Sequence, residues 1–233
     1  MGDRLGRISA ATGLAFAALD LLAGFIYPQQ PRVDGPPAAT VAWAHAHRVA
    51  LQTGMIFGLC GAAMLLWFAG FLYSRTRPVA SGATSVAPMV LGAGVAAAVV
   101  AAIAAIPIAL LAFMVGQQPG IPDPSVVRLL ADLNTVLFAA SSAVTAVFLV
   151  AVGAAALRDE LAAPVWLGVL CLVVSAFNAC SVWVALTFTT YHGKSWNIVA
   201  FGAYIGFVLV VAMLSVSMLR DRSGRPSPVA VNA

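Results

Sequence analysis

The sequence predicts an all-α, polytopic transmembrane bundle of six helices with both termini in the cytoplasm. Of its 233 residues, 62% are hydrophobic and only 9% are charged, whereas a typical soluble domain has about 25% charged residues. The mean hydropathy is +0.98. Six apolar runs are each long enough to cross the hydrocarbon, which takes about 20 helical residues. A chain with so few polar residues cannot cover its surface for contact with water. We therefore expect the lipid bilayer to be its solvent.

The six runs set the predicted limits of the spans. These limits are residues 8–27, 48–73, 86–115, 129–157, 164–190 and 198–219. The first run contains Asp20 and is followed by Pro-Gln-Gln-Pro instead of a small-residue cleavage site, so we expect a retained helix and no signal peptide. Pro107 removes a backbone hydrogen bond near Ile103 and predicts a kink. Residues 1–219 thus form one transmembrane domain, and residues 220–233 a disordered cytoplasmic tail.

The basic residues predict the orientation of the bundle. Eight fall on one side, namely Arg4, Arg7, Arg75, Arg77, Arg158, Arg220, Arg222 and Arg225. Four fall on the other, namely Arg32, Arg48, Arg128 and Lys194. The positive-inside rule places the first side in the cytoplasm. Eleven arginines to one lysine, with much alanine and valine, are typical of a GC-rich bacterial genome, so the expected location is the bacterial cytoplasmic membrane.

Polar side chains gather near the predicted outer side. The set comprises Asp20, His47, Arg48, Gln52, Asp132, Asn134, Asn178 and His192. A carboxylate inside the membrane needs a partner, water or a proton. The donor fork of Arg48 suits a carboxylate, so we expect it to neutralise Asp20, Asp132 or both. This predicts an outward-facing polar cavity. The alternative is that these side chains only join helices while Arg48 reaches the headgroups.

The three histidines are the candidate ligands of a metal or haem. His45 and His47 would diverge on a helix, but in an extended loop they could share an ion with His192. Two histidines on different helices could hold a haem. Because histidines near an interface are more often plain surface residues, we expect no cofactor. Cys60, Cys171 and Cys180 form no CxxC pair and are interpreted as small buried hydrophobes.

The sequence contains no recognisable nucleophile arrangement, phosphate loop or catalytic carboxylate pair. The leading hypothesis is a non-enzymatic membrane protein that binds or transports a small or lipid-like ligand at the outer cavity. A second is an accessory subunit or scaffold of a larger membrane complex, and a third is a membrane-embedded metal or haem enzyme. Expected partners are the lipid bilayer, such a ligand, and a membrane protein or second copy. The scattered basic residues argue against nucleic acid.

The order of these features resembles a family of uncharacterised six-helix bacterial membrane proteins, described as a domain of unknown function and frequent in GC-rich genomes. The resemblance rests on a prolyl loop after the first helix and on His47-Arg48 at the end of a short amphipathic stretch. It also rests on a second helix that ends at Arg75-Thr-Arg77 and on Pro164-Val-Trp-Leu-Gly168. It implies the six-helix fold and brings no activity and no site residues.

Overall fold

The computed structural model describes residues 2–28, 31, 36–76, 85–117, 123–187 and 194–220. Within these residues the secondary structure is all helical. The helices are α1 (Gly2–Ile26), α2 (Pro37–Ala46), α3 (Arg48–Arg75), α4 (Ala87–Ala104), α5 (Ile106–Gln117), α6 (Pro124–Leu157), α7 (Val165–Thr187) and α8 (Lys194–Arg220). Six helical stretches are long and apolar enough to span a membrane, with α4 and α5 together forming the third. The predicted all-α polytopic bundle is therefore confirmed.

The six spans form a closed ring in chain order. α1 packs on α3, α3 on α4, α4 on α6, α6 on α7, α7 on α8, and α8 returns to α1. Ser215 Oγ in α8 donates a hydrogen bond to the Ala10 carbonyl in α1 at 2.5 Å, so the start of α1 and the end of α8 lie together. We call the end of the ring with Arg7, Arg75 and Arg158 the basic face, and the opposite end the α2 face.

Two helix boundaries differ from the sequence prediction on the α2 face. α2 is an additional ten-residue helix, which begins at Pro37, where a missing N–H costs nothing. α6 begins at Pro124, five residues earlier than predicted, because Asp123 caps it by accepting the Ser125 N–H at 2.8 Å. Hydropathy does not detect these boundaries because caps and proline, and not apolar residues, set them.

The third span is interrupted between α4 and α5. Pro107 has no N–H to donate to the Ile103 carbonyl. The chain leaves the regular helix at Ala105, whose N–H bonds to the Ala102 carbonyl only three residues back, at 3.2 Å. The predicted disruption near Ile103 is confirmed.

The core has two parts. The first is a phenylalanine cluster of Phe16, Phe148 and Phe207, which connects α1, α6 and α8 across the ring. The ring centroids lie 5.5 Å apart for Phe16 and Phe207 and 6.3 Å apart for Phe148 and Phe207. The second part lies beneath α2, where Trp43 and Leu51 pack with apolar residues of α5 and the start of α6. The bundle centre is thus filled, and a separate apolar layer supports the α2 face.

The cysteines depart from the sequence expectation. Cys171 is buried, whereas Cys60 and Cys180 are exposed on the outside of the bundle, so the interpretation of all three as buried is wrong. Their spans explain this, because in a membrane an apolar side chain can face lipid instead of the protein interior. Of the predicted tail at residues 220–233, Arg220 is the last residue of α8, and residues 221–233 lie outside the described residues.

Candidate functional site

The structure separates the predicted polar residues instead of collecting them in one cavity. Asp20 lies in the first span beside α8, Arg48 lies where α2 meets α3, and Asp132 lies in the third turn of the long α6. Gln52 and Asn134 are half-buried in α3 and α6. His192 lies outside the described residues.

A groove opens at the junction of α2 and α3. It has a volume of about 590 Å³ and is lined by Ile26 at the end of α1, by His45 and Ala46 at the end of α2, by His47, and by Arg48, Val49, Ala50 and Thr53 of α3. α2 ends at Ala46 and α3 begins at Arg48, with only His47 between them. This abrupt turn places two imidazoles and a guanidinium on one short stretch. We call this feature the α2–α3 groove.

Arg48 is packed tightly but lacks an acceptor for one of its donors. Its Nε is buried and has no hydrogen-bond partner among the described residues. A Cβ on Gly116 of α5 would overlap with the guanidinium carbon and nitrogen atoms of Arg48, so this glycine makes the space that the side chain occupies. Among the described residues, no carboxylate forms an ion pair with Arg48.

The expected pairing of Arg48 with Asp20 or Asp132 is therefore wrong. Asp132 Oδ2 lies 3.8 Å from Arg128 Nε, one turn away in the same helix. Asp20 lies next to Gly61, since a Cβ on that glycine would be 3.8 Å from the Asp20 N atom. Gly61 follows Arg48 by thirteen positions, or about 20 Å along α3. That separation exceeds the reach of an arginine side chain.

His47 has a defined orientation. Its Nδ1 lies 2.9 Å from the Trp43 carbonyl, which can only accept, so Nδ1 carries the hydrogen. Nε2 is therefore an acceptor in the neutral ring and a donor in the protonated ring. Trp43 itself packs against Tyr27, with ring centroids 6.3 Å apart, and its Nε1 is buried without a hydrogen-bond partner. The neighbouring His45 is exposed.

The described residues hold no group of three histidine, cysteine, aspartate or glutamate side chains that could bind a metal ion. His45 and His47 line the same groove, but His192, the proposed third ligand, is not among these residues. The metal and haem alternative therefore stays an untested prediction.

Asn178 joins helices, as the alternative interpretation of the polar residues expected. It is buried in α7, and its Nδ2 donates to the Val174 carbonyl at 2.9 Å and to the Ala203 carbonyl of α8 at 3.4 Å. Ser175, one turn earlier, donates to the Ala146 carbonyl of α6 at 2.9 Å. These bonds satisfy both side chains between apolar surfaces, so we assign them a structural role.

Two residues beside the predicted candidates were not indicated by the sequence, Tyr204 and Gly116. Tyr204 Oη donates to the backbone carbonyl of Asp20 at 2.5 Å. The available signal was a phenolic hydroxyl within an apolar span, which needs a partner. Gly116 had no comparable signal, because glycine is common in transmembrane helices.

No family model, no curated protein and no solved structure matches the chain. The fold and the six spans define the class: a multi-pass integral membrane protein. The resemblance to a family of six-helix bacterial proteins stays a prediction.

Proposed function

We propose that the protein binds a small or lipid-like ligand with an anionic head at the α2–α3 groove, through Arg48. The buried Nε of Arg48, which has no acceptor in the part of the chain that the structure describes, is the observation that carries this proposal. A buried donor without an acceptor is costly. A carboxylate or phosphate supplies the acceptor, and the planar guanidinium matches both groups.

The surroundings of Arg48 suit an amphipathic molecule. His45 and His47 offer further donors to an anion when their rings are protonated. Ile26 and Val49 give the same groove apolar walls, and Val49 is 74% exposed. The groove lies at the ends of the spans, where headgroups meet hydrocarbon. A head on Arg48 and a chain along the apolar walls would satisfy both parts of such a ligand.

We further propose that the α2 face is the outer face of a bacterial cytoplasmic membrane. The excess of arginine on the basic face supports this orientation through the positive-inside rule. The phenylalanine cluster occupies the centre of the ring, so a ligand carried across the membrane would have to displace it. Binding from one side is thus the simpler function.

Lipid binding in nanodiscs tests the proposal. We expect native mass spectrometry to show anionic phospholipid retained by the wild type from a zwitterionic and anionic mixture. Arg48→Ala should weaken retention about tenfold or more, because a hydrogen bond to a charged group contributes about 1.5–3 kcal/mol. Arg48→Lys should fall between, since it keeps the charge but loses the fork. Titration with inorganic phosphate and with a soluble alkyl carboxylate separates a lipid ligand from a small one.

Arg128→Ala is the matched control, because Arg128 lies on the same face but pairs with Asp132. Equal retention by wild type and Arg48→Ala, with every probe, would refute the proposed site. A stoichiometric protein that co-purifies in mild detergent would instead favour the accessory-subunit alternative. Bound metal or haem would favour the enzyme.

A further inference from the structure

Asp20 is a carboxylic acid within a membrane span, and no cationic partner for it lies among the described residues. It lies six residues before the end of α1 and is half-buried. Among the described residues, no arginine, lysine or histidine forms an ion pair with it. An acidic side chain at such a position requires water, a cation or a proton. The α2–α3 groove does not meet this requirement, because Asp20 is not part of its lining.

Tyr204 of α8 provides the polar contact. Its hydroxyl donates to the Asp20 backbone carbonyl at 2.5 Å and also interacts with the Asp20 carboxyl group. A Cβ on Gly24 would lie 2.7 Å from Tyr204 Oη, so the hydroxyl reaches α1 only because residue 24 is glycine. Asp20, Gly24 and Tyr204 thus form one contact between the first and last spans.

The Tyr204 hydroxyl has one hydrogen to donate, but two acceptors lie beside it, the backbone carbonyl and the carboxyl group of Asp20. A phenolic hydroxyl donates once and accepts through its oxygen. While it donates to the carbonyl, a protonated Asp20 carboxyl can donate to Tyr204 Oη. When Asp20 is ionised, the carboxylate competes for the same hydrogen through a stronger, charge-assisted bond. The direction of the Tyr204 hydrogen bond therefore depends on whether Asp20 holds a proton.

Among the described residues of α3 and α8, the helices packed on α1, no charged side chain contacts Asp20. From α8, the facing titratable group is Tyr204. From α3, the facing residue is Gly61, and the adjacent Cys60 is exposed on the outside of the bundle. Among these described contacts, the Tyr204 hydroxyl is thus the one group whose hydrogen bond changes when Asp20 gains or loses a proton.

The phenylalanine cluster closes one approach to this contact. Phe16 lies one turn before Asp20 on α1, and Phe207 lies three residues after Tyr204 on α8, so both lie toward the basic face. Their rings are buried and 5.5 Å apart. The α2 face is therefore the side from which we expect water to reach Asp20.

We propose that Asp20 and Tyr204 form a proton-binding site between α1 and α8, loaded from the α2 face. The Asp20 carboxylate takes one proton from water to form an O–H bond, and its charge changes from −1 to neutral. The Tyr204 hydroxyl turns from the carboxylate to the Asp20 carbonyl in the same step. Release returns the proton to water and reverses the turn. This site is separate from the anion groove and does not depend on it.

Infrared difference spectroscopy of the purified protein in nanodiscs, recorded across a pH series, tests the proposal with the proton as the probe. In the wild type we expect a carboxylic-acid carbonyl band to appear on acidification. A tyrosine C–O band should shift with the same midpoint. Asp20→Asn should abolish both changes. Tyr204→Phe should remove the tyrosine change and move the acid midpoint to higher pH by about one unit, because the carboxylate loses a charge-assisted donor.

Asp132→Asn is the matched control, because Asp132 is also a carboxylate in a spanning helix but pairs with Arg128. It should leave the coupled tyrosine change intact. If Asp20→Asn does not fold, Asp20→Glu keeps the carboxyl group, and Gly24→Ala displaces the hydroxyl end of the Tyr204 ring, which should mimic Tyr204→Phe. If the acid band persists in Asp20→Asn, or if the tyrosine band still shifts in that variant, the proposal is overturned.

Discussion

Glu160, in the loop between α6 and α7, caps the start of α4. Its Oε2 accepts the backbone N–H of Val86 at 3.0 Å and the hydroxyl of Ser85 at 3.2 Å. Its Oε1 lies 3.0 Å from Arg158 Nε, in a geometry that makes an ion pair but not a hydrogen bond. The side chain is only 4% exposed. Because a carboxylate satisfies free N–H groups at a helix start, Glu160 connects three spans on the basic face.

Glu160→Ala should lower the free energy of unfolding by about 2–4 kcal/mol, since it leaves the buried Val86 N–H and Ser85 hydroxyl without an acceptor. Denaturation in detergent, followed by circular dichroism, measures the change. Arg158→Ala is the comparison and should cost less than Glu160→Ala, because the bonds to Oε2 remain and Arg158 is itself 42% exposed, although the buried carboxylate loses its counter-charge. Unchanged stability of Glu160→Ala would contradict the capping role.

The sequence predicts the number and limits of the spans well, because hydrocarbon thickness fixes the length of an apolar run. It also predicts the break near Pro107, a local consequence of a missing N–H. It does not predict which side chains meet across the ring. Asp20 and Arg48 were assigned to one site from depth alone, but packing separates them along α3. Glu160 was missed because an acid in a short polar loop has the same sequence pattern whether it is solvated or buried.

α6 and α7 should tolerate no side chain where two glycines meet. A Cβ on Gly153 would lie 3.0 Å from the Gly168 carbonyl oxygen, and one on Gly168 would lie 3.1 Å from the Gly153 oxygen. Gly153→Ala or Gly168→Ala should therefore cost about 1–3 kcal/mol of stability through overpacking. Gly92→Ala is the control, with no atom within 4 Å of its Cβ, and it should be neutral or stabilising. If all three variants had the same free energy of unfolding in this assay, close packing of Gly153 on Gly168 would be excluded.

The cap of α6 should weaken in acid. The pKa of Asp123 lies below its ordinary value because the hydroxyl and then the backbone N–H of Ser125 donate to its carboxylate. A lowered pKa means that the carboxylate stabilises the fold fully above the ordinary value of about 4, and that this contribution is lost as the pH falls through the lowered pKa. Hydrogen exchange at the first turn of α6 should therefore accelerate in that window.

Asp123→Asn separates charge from capping, because its side-chain oxygen still accepts but does not titrate. We expect the acid-dependent part of the exchange at the α6 start to disappear in Asp123→Asn, while Asp123→Ala exchanges faster at every pH. An unaltered pH profile in Asp123→Asn would assign the acid effect to another group.

Arg48 and Gly116 should depend on each other. The guanidinium occupies the space that a side chain at residue 116 would fill, so Gly116→Ala must displace Arg48 or strain α5. We expect Gly116→Ala to cost about 1–3 kcal/mol of stability and to weaken anion binding in the α2–α3 groove. In an Arg48→Ala background the clash is gone, and the same change should be neutral or should stabilise the helix by up to about 1 kcal/mol.

A double-mutant cycle measures this dependence. The free energy of unfolding lost through Gly116→Ala is measured in detergent in the wild type and again in Arg48→Ala, and the difference between the two losses is the coupling energy. We expect a coupling of about 1–3 kcal/mol, the range found for residues in contact. The control cycle uses Gly92→Ala in place of Gly116→Ala, in the wild-type and Arg48→Ala backgrounds. Because the Cβ position of residue 92 is empty, the stability effects of the two changes should add. Additivity at Gly116 as well would mean that the guanidinium lies elsewhere. The buried, unpartnered Nε on which the anion site depends would then be absent, whereas strong coupling fixes Arg48 at the groove.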